Sequence, residues 1–365
     1  MMKPREIEIR RFVLNPLPVP GDRRVYKNYP YNSNMAAITA PALLHAPQLR
    51  ALNILRDLPG VADLVEKCFA DTMDSEGRRY LQQMRRAGQD NVFMRWAANA
   101  AESVSMPLSG YVWEENGQII GNVSLIPYRE KKQKVFLIAN VAVRQDYRRR
   151  GIGRALTEAA VRHAQARNAL ATWLHVRDDN PGAIALYLSL GFEELAQRTS
   201  WQARPDRTIL AGQPAFPITR RAGRDWPQQE SWLRRIYPAL IEWYQPMPWK
   251  SLRADLRGLI YRFVMDYDVR HWVARNENGE PIAILSWQAM SGSSDRMWLA
   301  APPGSSESCL TGLLLYARRS LPFRQALELD FPAGENRAAL EAAGFQPHRT
   351  LLWMKLREKN PVYPS

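Results

Sequence analysis

The sequence predicts an α/β chain of the α+β type, built from two similar halves. Three observations predict it. Asn140-Val-Ala-Val143 is an apolar, strand-like run that meets a basic turn, and a helix-forming stretch begins at once with Gly151-Ile-Gly-Arg-Ala-Leu156. Apolar runs flank Asn116-Gly117 and Asn278-Gly279, and Asn-Gly supplies the positive φ angles of a tight hairpin turn. Gly191-Phe192 and Gly344-Phe345 stand 153 residues apart, a period that suits a duplicated domain and not a solenoid.

The elements follow in order. Residues 1–47 carry seven prolines and read as an extended arm in which Ile7-Glu-Ile-Arg-Arg-Phe-Val13 pairs as a strand. Arg50–Leu55 reads as a strand, and Asp57 as the N-cap of a helix through Val61, Leu64, Val65 and Phe69. Asp74-Ser-Glu opens a charged helix with Tyr80, Leu81 and Met84. A hairpin over 110–126, a strand over 135–143 and a helix over 151–167 come next, the helix placing Ile152, Leu156, Ala159, Ala160 and His163 on one face. Strand 171–176, helix 181–190 and a strand from Phe192 close the first half. The second half repeats this order: hairpin 271–287, strand 297–301, helix 308–319, strand 326–330 and helix 336–343. The boundary is expected near 205–216, giving an arm over 1–47 and domains over 48–205 and 216–358.

Composition bounds the function. With 365 residues, 46% hydrophobic and 24% charged, this is an ordinary globular composition large enough for two cores. No apolar run approaches membrane-spanning length and the start has no secretory character, so a cytoplasmic location is expected. Cys68 and Cys309 fit no disulfide framework, and the five histidines form no metal motif. The net charge of +14 suits an anionic ligand. The charge is spread along the chain without a recognition-helix or RNA-binding signature, so nucleic acid is not an expected partner.

Arg148, Arg149, Arg150, Gly151, Ile152, Gly153 and Arg154 place unpaired backbone amides and positive charge at a helix N-terminus, which is a phosphate site by construction. Glycines there admit close backbone approach. Arg148-x-x-Gly151-x-Gly153 resembles the pyrophosphate loop of the GCN5-related N-acetyltransferases. Asn180-x-x-Ala-x-x-Leu-Tyr187-x-x-x-Gly-Phe192 resembles that family's second signature. The resemblance is specific over residues 110–195 and fold-level over the second half. It implies two tandem acyl-CoA N-acyltransferase (GNAT) domains, each a mixed, mostly antiparallel sheet flanked by helices. It implies acetyl-CoA as acyl donor, no metal, and an amine as acceptor.

The resemblance also assigns roles. Residues 148–154 would hold the diphosphate. A bulged strand over Asn140–Val143 would turn the Val141 and Val143 amides, beside Ala142, onto the acetyl carbonyl as an oxyanion hole. An unbroken core strand is the alternative, since valines pack in any sheet. Tyr187 would protonate the leaving thiolate, although a tyrosine on an apolar helix face serves packing equally well. Asn180 either contacts the pantetheine arm or caps its helix. The family's basic glutamate falls on Leu137 here. Glu130 is the nearest acidic substitute, with Glu102 and Asp90 as outside candidates. Deprotonating a lysine-like amine at pH 7 costs about 4–5 kcal/mol and an α-amine about 1–1.5 kcal/mol, which favours α-amines where no strong base exists. With no cysteine expected near the motifs, direct transfer in a ternary complex follows. A non-catalytic acyl-CoA-binding or regulatory module is the competing reading.

In the second half, laying residues 299–314 on 141–156 without gaps puts Ser306, Cys309 and Thr311 at Arg148, Gly151 and Gly153. Pro302 and Pro303 remove two amide donors, and Leu340 replaces Tyr187. That half is expected to be structural or to shape a substrate cleft. Nine of the twelve tryptophans follow residue 200; core packing is the favoured reading and an aromatic wall beside the substrate the other.

Overall fold

The computed structural model describes residues 46–73, 75–88, 105–205, 216–321 and 325–357. The expected strand at 7–13, Asp74, Asp90, Glu102 and the domain boundary at 206–215 lie outside them. The chain forms two compact units.

The first unit takes residues up to 176, then 180–194, then 354 onwards. Its sheet runs in the order β1 (Leu49–Ala51), β2 (Ser109–Glu115), β3 (Gln118–Glu130), β4 (Gln133–Val143) and β5 (Ala171–Arg177). Only the β4–β5 pair is parallel; the others are antiparallel. Asn116 and Gly117 have φ of 51° and 75°, the two left-handed residues an Asn-Gly hairpin requires. Helix α1 (Ile54–Phe69) packs on one face and α2 (Ser75–Ala87) beside it, with Leu58, Val61, Leu64 and Val65 against Val112 and Ala142. Helix α3 (Ile152–Ala166) buries the expected stripe of Ile152, Leu156, Ala159, Ala160 and His163. His163 Nδ1 meets the Tyr111 hydroxyl at 3.0 Å. Since Tyr111 and Val112 are neighbours on a strand, α3 and α1 cover opposite faces. Gly121 seats α3: a Cβ there would stand 2.9 Å from Leu156 Cδ1 and 3.1 Å from Ile152 Cγ2. Helix α4 (Pro181–Ser189) follows β5.

The start of α1 differs from expectation. Asn53 is the N-cap and accepts from the Leu55 amide at 3.1 Å. Asp57 lies one turn inside, 2% exposed, where it accepts from Arg50, Arg56 and the Asn53 amide. A charge satisfied by two arginines displaces the capping role.

The second unit takes 177–179 and 195–353, so neither unit is continuous in sequence. Its sheet order is β6 (Phe192–Ala203), β11 (Ala326–Pro332), β10 (Ser294–Ala300), β9 (Pro281–Gln288), β8 (Val269–Arg275) and β7 (Ile218–Arg220), and the last strand, β12, spans Gln346–Leu356. Helices α5 (Trp226–Ile236), α6 (Trp249–Leu252) and α7 (Leu256–Val264) precede β8; α8 (Glu307–Ser320) and α9 (Arg337–Ala342) follow β10 and β11. Trp201, Trp232, Trp243, Trp272, Trp287, Trp298 and Trp353 are all buried, which bears out core packing for most of the late tryptophans.

Candidate active site

The site assembles at the carboxyl ends of β4 and β5. β3 and β4 keep register from the hairpin tip to Ser124↔Ala139 and resume at Asn122↔Ala142. Between these rungs Val123 alone opposes Asn140 and Val141, which is a β-bulge. Asn140 is left-handed, φ 51°, a conformation asparagine tolerates better than most residues. On its other side β4 pairs with β5 only from Val135↔Ala171 to Ile138↔Leu174. The two parallel strands therefore part where the bulge begins.

One bond fixes the backbone direction beyond it. The Arg144 amide donates to the Ile120 carbonyl at 2.9 Å. Amide direction alternates along an antiparallel strand, so Ala142 also faces β3 while Val143 faces the opened side. The Val143 carbonyl agrees, because it accepts from Arg148 Nε at 3.1 Å and from the Cys68 thiol at 3.4 Å.

Gln145–Tyr147 then make one 3₁₀ turn, and Arg149 and Gly151 are left-handed, with φ of 65° and 80°. Gly151 is the N-cap of α3 and offers its first amides no side chain; the first intrahelical bond runs from Ala155 N to Gly151 O at 3.0 Å. The amides of Ile152, Gly153 and Arg154 thus stand at the positive end of the helix dipole. Glycine is required at 151 by its backbone, since a Cβ there would meet nothing within 4 Å. At 153 a Cβ would touch Leu186 and Val143 at 3.6 and 3.9 Å, ordinary contact. Steric exclusion thus separates neither glycine from alanine among the protein's own atoms.

The arginines have definite anchors. Arg144 grips Asp146 at 2.8 and 3.0 Å and lies over the Tyr147 ring, 4.3 Å from its centroid. Arg150 covers the same ring at 4.7 Å and donates to the Asp146 carbonyl. Arg154 donates to Ser189 Oγ at 2.6 Å. Asp146, the one acid between residues 144 and 154, is consumed by Arg144. Exposed Arg148, Arg149 and Arg150 remain as surplus charge, while Arg154 also pairs with Glu158 at 3.7 Å.

Asn180 Oδ1 accepts from the Ala183 amide at 3.1 Å, so of its two readings the cap is the one seen. Leu186 beside Gly153 and Ser189 beside Arg154 lay α4 along the first turn of α3. Tyr187, between them, is 6% exposed and edge-on to Phe192 at 6.1 Å. Burial pushes its phenol well above the ordinary tyrosine range.

Sequence reasoning missed a polar cluster on the α1–α2 face of the bulge. Asn122 Nδ2 donates to the Asn140 carbonyl at 3.0 Å, and Asn140 Nδ2 donates to Ser124 Oγ at 3.3 Å. Asn122 Oδ1 is buried without a hydrogen-bond partner, and the buried Tyr80 hydroxyl lies against the Asn140 side chain. The signal was present: Asn122 and Ser124 are two apart in an otherwise apolar strand. His175 was also passed over. Leu137 pairs with Trp173, so continuing the register puts His175 level with Ala139, on the face of Ser124, just past the last β4–β5 rung.

Two expectations need correction. Glu130 pairs with Gln133 at the hairpin tip; seven residues of strand, about 23 Å at about 3.3 Å each, separate that tip from Asn140, too far for a base at the bulge. Leu137 is a fully buried rung of β4. A cysteine does lie near the motifs, since Cys68 reaches Val143 from α1. Burial, only partly offset by Arg148, raises its thiol pKa, the wrong direction for a nucleophile.

In the second unit β9 and β10 pair without interruption from Gln288↔Arg296 to Ile284↔Ala300, so no bulge forms. The gap-free overlay also fails: α8 begins at Glu307 with Ser306 as N-cap, so Ser306, not Cys309, stands where Gly151 does. The connection is shorter, 301–306 against 144–151.

A profile of the acetyltransferase (GNAT) family matches residues 69–192, the segment that carries the bulge, the loop and Tyr187. Those residues are similar to that family. The chain is 43% identical over 80 residues to the ribosomal protein bS18 alanine N-acetyltransferase of Escherichia coli strain K12, covering 22% of this chain and 54% of that protein. It is 36% identical over 120 residues to the mycothiol acetyltransferase of Salinispora arenicola, covering 32% of this chain and 36% of that protein. The chain thus spans about half, or less, of the curated relatives it matches. A GCN5-related N-acetyltransferase from Sphaerobacter thermophilus superposes with a TM-score of 0.51 at 16% identity, over 88% of this chain and 99% of that one. That likeness shows the fold alone. Among the described residues no cluster of His, Cys, Asp or Glu could hold a metal, and no helix is long and apolar enough to cross a membrane.

Proposed function

We propose that the first unit transfers an acetyl group from acetyl-CoA to a primary amine, either of a small molecule or the α-amine of a peptide or protein, by direct transfer. The observation that carries this reading is the pairing of a bulge that opens the Val143 amide with an uncapped helix N-terminus at Gly151. The donor supplies the activated acyl group as a thioester; the chain supplies everything else. The amides of Gly151–Arg154 hold the diphosphate, each charge-assisted bond contributing about 1.5–3 kcal/mol, with Arg148, Arg149, Arg150 and Arg154 raising the local potential. Val143, and Val141 within the bulge, donate to the acetyl oxygen as negative charge develops there. Tyr187 keeps its proton at neutral pH and is available to protonate the thiolate.

His175 replaces Glu130 as the base in this reading. It shares a face with Ser124 and Asn122 at the fork of β4 and β5, and imidazole is the side chain suited to proton exchange near neutral pH. The Asn122–Ser124–Asn140–Tyr80 cluster lines the acceptor side. A weak base favours α-amines over lysine side chains. The bS18 alanine acetyltransferase similarity is consistent with that preference and does not name the acceptor here. The second unit, without the bulge and with Pro302 and Pro303 in its loop, is read as a degenerate copy. Unpaired Cys68 and Cys309 are consistent with a cytoplasmic location.

The test is thiol release from acetyl-CoA with a panel of amines and peptides, with products weighed by mass spectrometry. An acetylated amine supports the reading, and His175→Gln is expected to shift the pH–rate profile. Binding of acetyl-CoA with no turnover on any acceptor would favour a non-catalytic binding module instead.

A further inference from the structure

The second unit contains a connected polar cluster around Arg221 and Arg262. Arg221, just beyond β7, donates to Gln229 Oε1 at 2.5 Å and to the Leu252 carbonyl at 2.6 Å. Gln229 Nε2 donates to Ser286 Oγ at 2.7 Å, and Ser286 Oγ meets His271 Nδ1 at 2.8 Å. Arg262 of α7 donates to the carbonyls of Ser251 and Arg253 at 2.9 and 2.7 Å. Consecutive carbonyls, Ser251 and Leu252, therefore bring the two guanidinium groups together. Gln229, Ser251 and Ser286 are buried, while Arg221, Arg262 and His271 are half-buried.

The local charge does not balance. Asp225 is gripped by Arg275 at 2.8 and 3.2 Å and accepts from the Ala222 amide. Asp255 is gripped by Arg253 at 2.6 and 3.0 Å and accepts from the Gly258 amide. Two carboxylates thus serve Arg275 and Arg253, and Arg221 and Arg262 have only neutral oxygens. Asp225 and Asp255 act on Arg221 and Arg262 only through space, and half-buried charges without a paired counter-ion are costly. Burial, and then Arg262, lower the Arg221 pKa to about 10, and it remains charged at neutral pH. Burial and the same two arginines push His271 well below the usual imidazole range, so its ring is neutral. Ser286 accepts from Gln229 and has its own hydrogen to give to His271 Nδ1. With that hydrogen given to Nδ1, the ring proton sits on Nε2, which is buried without a partner.

We propose that Arg221, Arg262 and His271 Nε2 form an oxyanion-binding site in the second unit, for a ligand bearing a carboxylate or a phosphate. Two forked cations and one neutral donor match the oxygens of such a group. The site stands on the second unit alone and does not depend on acetyl transfer by the first.

The full chain, labelled with ¹⁵N in its histidine rings, is titrated separately with inorganic phosphate and with acetate at fixed pH, chloride holding ionic strength constant. The His271 ring signal is assigned by its loss in His271→Asn. Phosphate that binds the loop before α3 leaves this reporter unread. A saturable shift with either ion supports the site, and the ion that binds tighter gives the ligand class. Arg262→Gln is expected to weaken that binding about tenfold or more and to keep its melting transition; if Arg221→Gln does not fold, Arg262→Gln decides. No saturable shift with either ion, or unchanged affinity in Arg262→Gln, would overturn the proposal.

Discussion

Asn122 donates its side-chain amide to the backbone carbonyl of Asn140, 3.0 Å away across the bulge. This bond, together with the one from Asn140 Nδ2 to Ser124 Oγ, holds a residue whose backbone is left-handed. Removing it in Asn122→Ala leaves a half-buried carbonyl unpaired, at about 1 kcal/mol. The expected signature is a kcat that falls further than acetyl-CoA affinity does, because the oxyanion donors shift while the loop at Gly151 stays. Parallel steady-state kinetics and calorimetry separate the two; an unchanged kcat would mean the bulge holds itself.

The two loop glycines should respond differently. Gly151→Ala forces an L-residue into φ 80° and is expected to cost about 1 kcal/mol of stability and to weaken acetyl-CoA binding. Gly153→Ala introduces only ordinary contacts with Leu186 and Val143, so its melting temperature should stay close to wild type. Any loss of coenzyme affinity at 153 then reports ligand contact directly.

Tyr187→Phe retains the ring packed on Phe192 and removes the hydroxyl. A loss of about 10²-fold or more in kcat with little change in acetyl-CoA affinity is expected of a general acid. Equal rates of thiol release from the two proteins would leave Tyr187 a packing residue.

Asp57 links stability to acid pH. Burial pushes its carboxyl up, but Arg50, the Asn53 amide and Arg56 outweigh burial and hold it below its usual 3.8. A carboxyl depressed in the folded state stabilises fully above the unfolded value and loses that contribution as pH falls through the folded one. The window is therefore below about pH 4. Asp57→Asn is expected to lower stability by about 2 kcal/mol at neutral pH and to flatten the acid limb, as read by urea unfolding across pH.

Much of this was legible because it is local. Asn116-Gly117 announced its hairpin, the 3.6-residue stripe from Ile152 to His163 announced the buried face of α3, and Arg148–Gly153 announced a glycine turn leading straight into a helix. The bulge was not legible, since Asn-Val-Ala-Val reads equally well as unbroken strand and only register against β3 reveals the extra residue. Glu130 misled because nearness to a strand in sequence says nothing about which end of it carries the chemistry. Cys68 and Tyr80 reach the bulge from helices more than fifty residues earlier, a tertiary approach without a sequence signal. The overlay of the second half failed because a shorter connection before Glu307 shifted the register.

Isothermal titration of the full-length protein with acetyl-CoA tests most directly whether the turn before Ile152 grips a diphosphate. Saturable heat at one equivalent per chain, reduced in Gly151→Ala, is the expected result. A folded, cooperatively melting protein that gives no heat, or that takes up two equivalents, would contradict a single coenzyme site in the first unit.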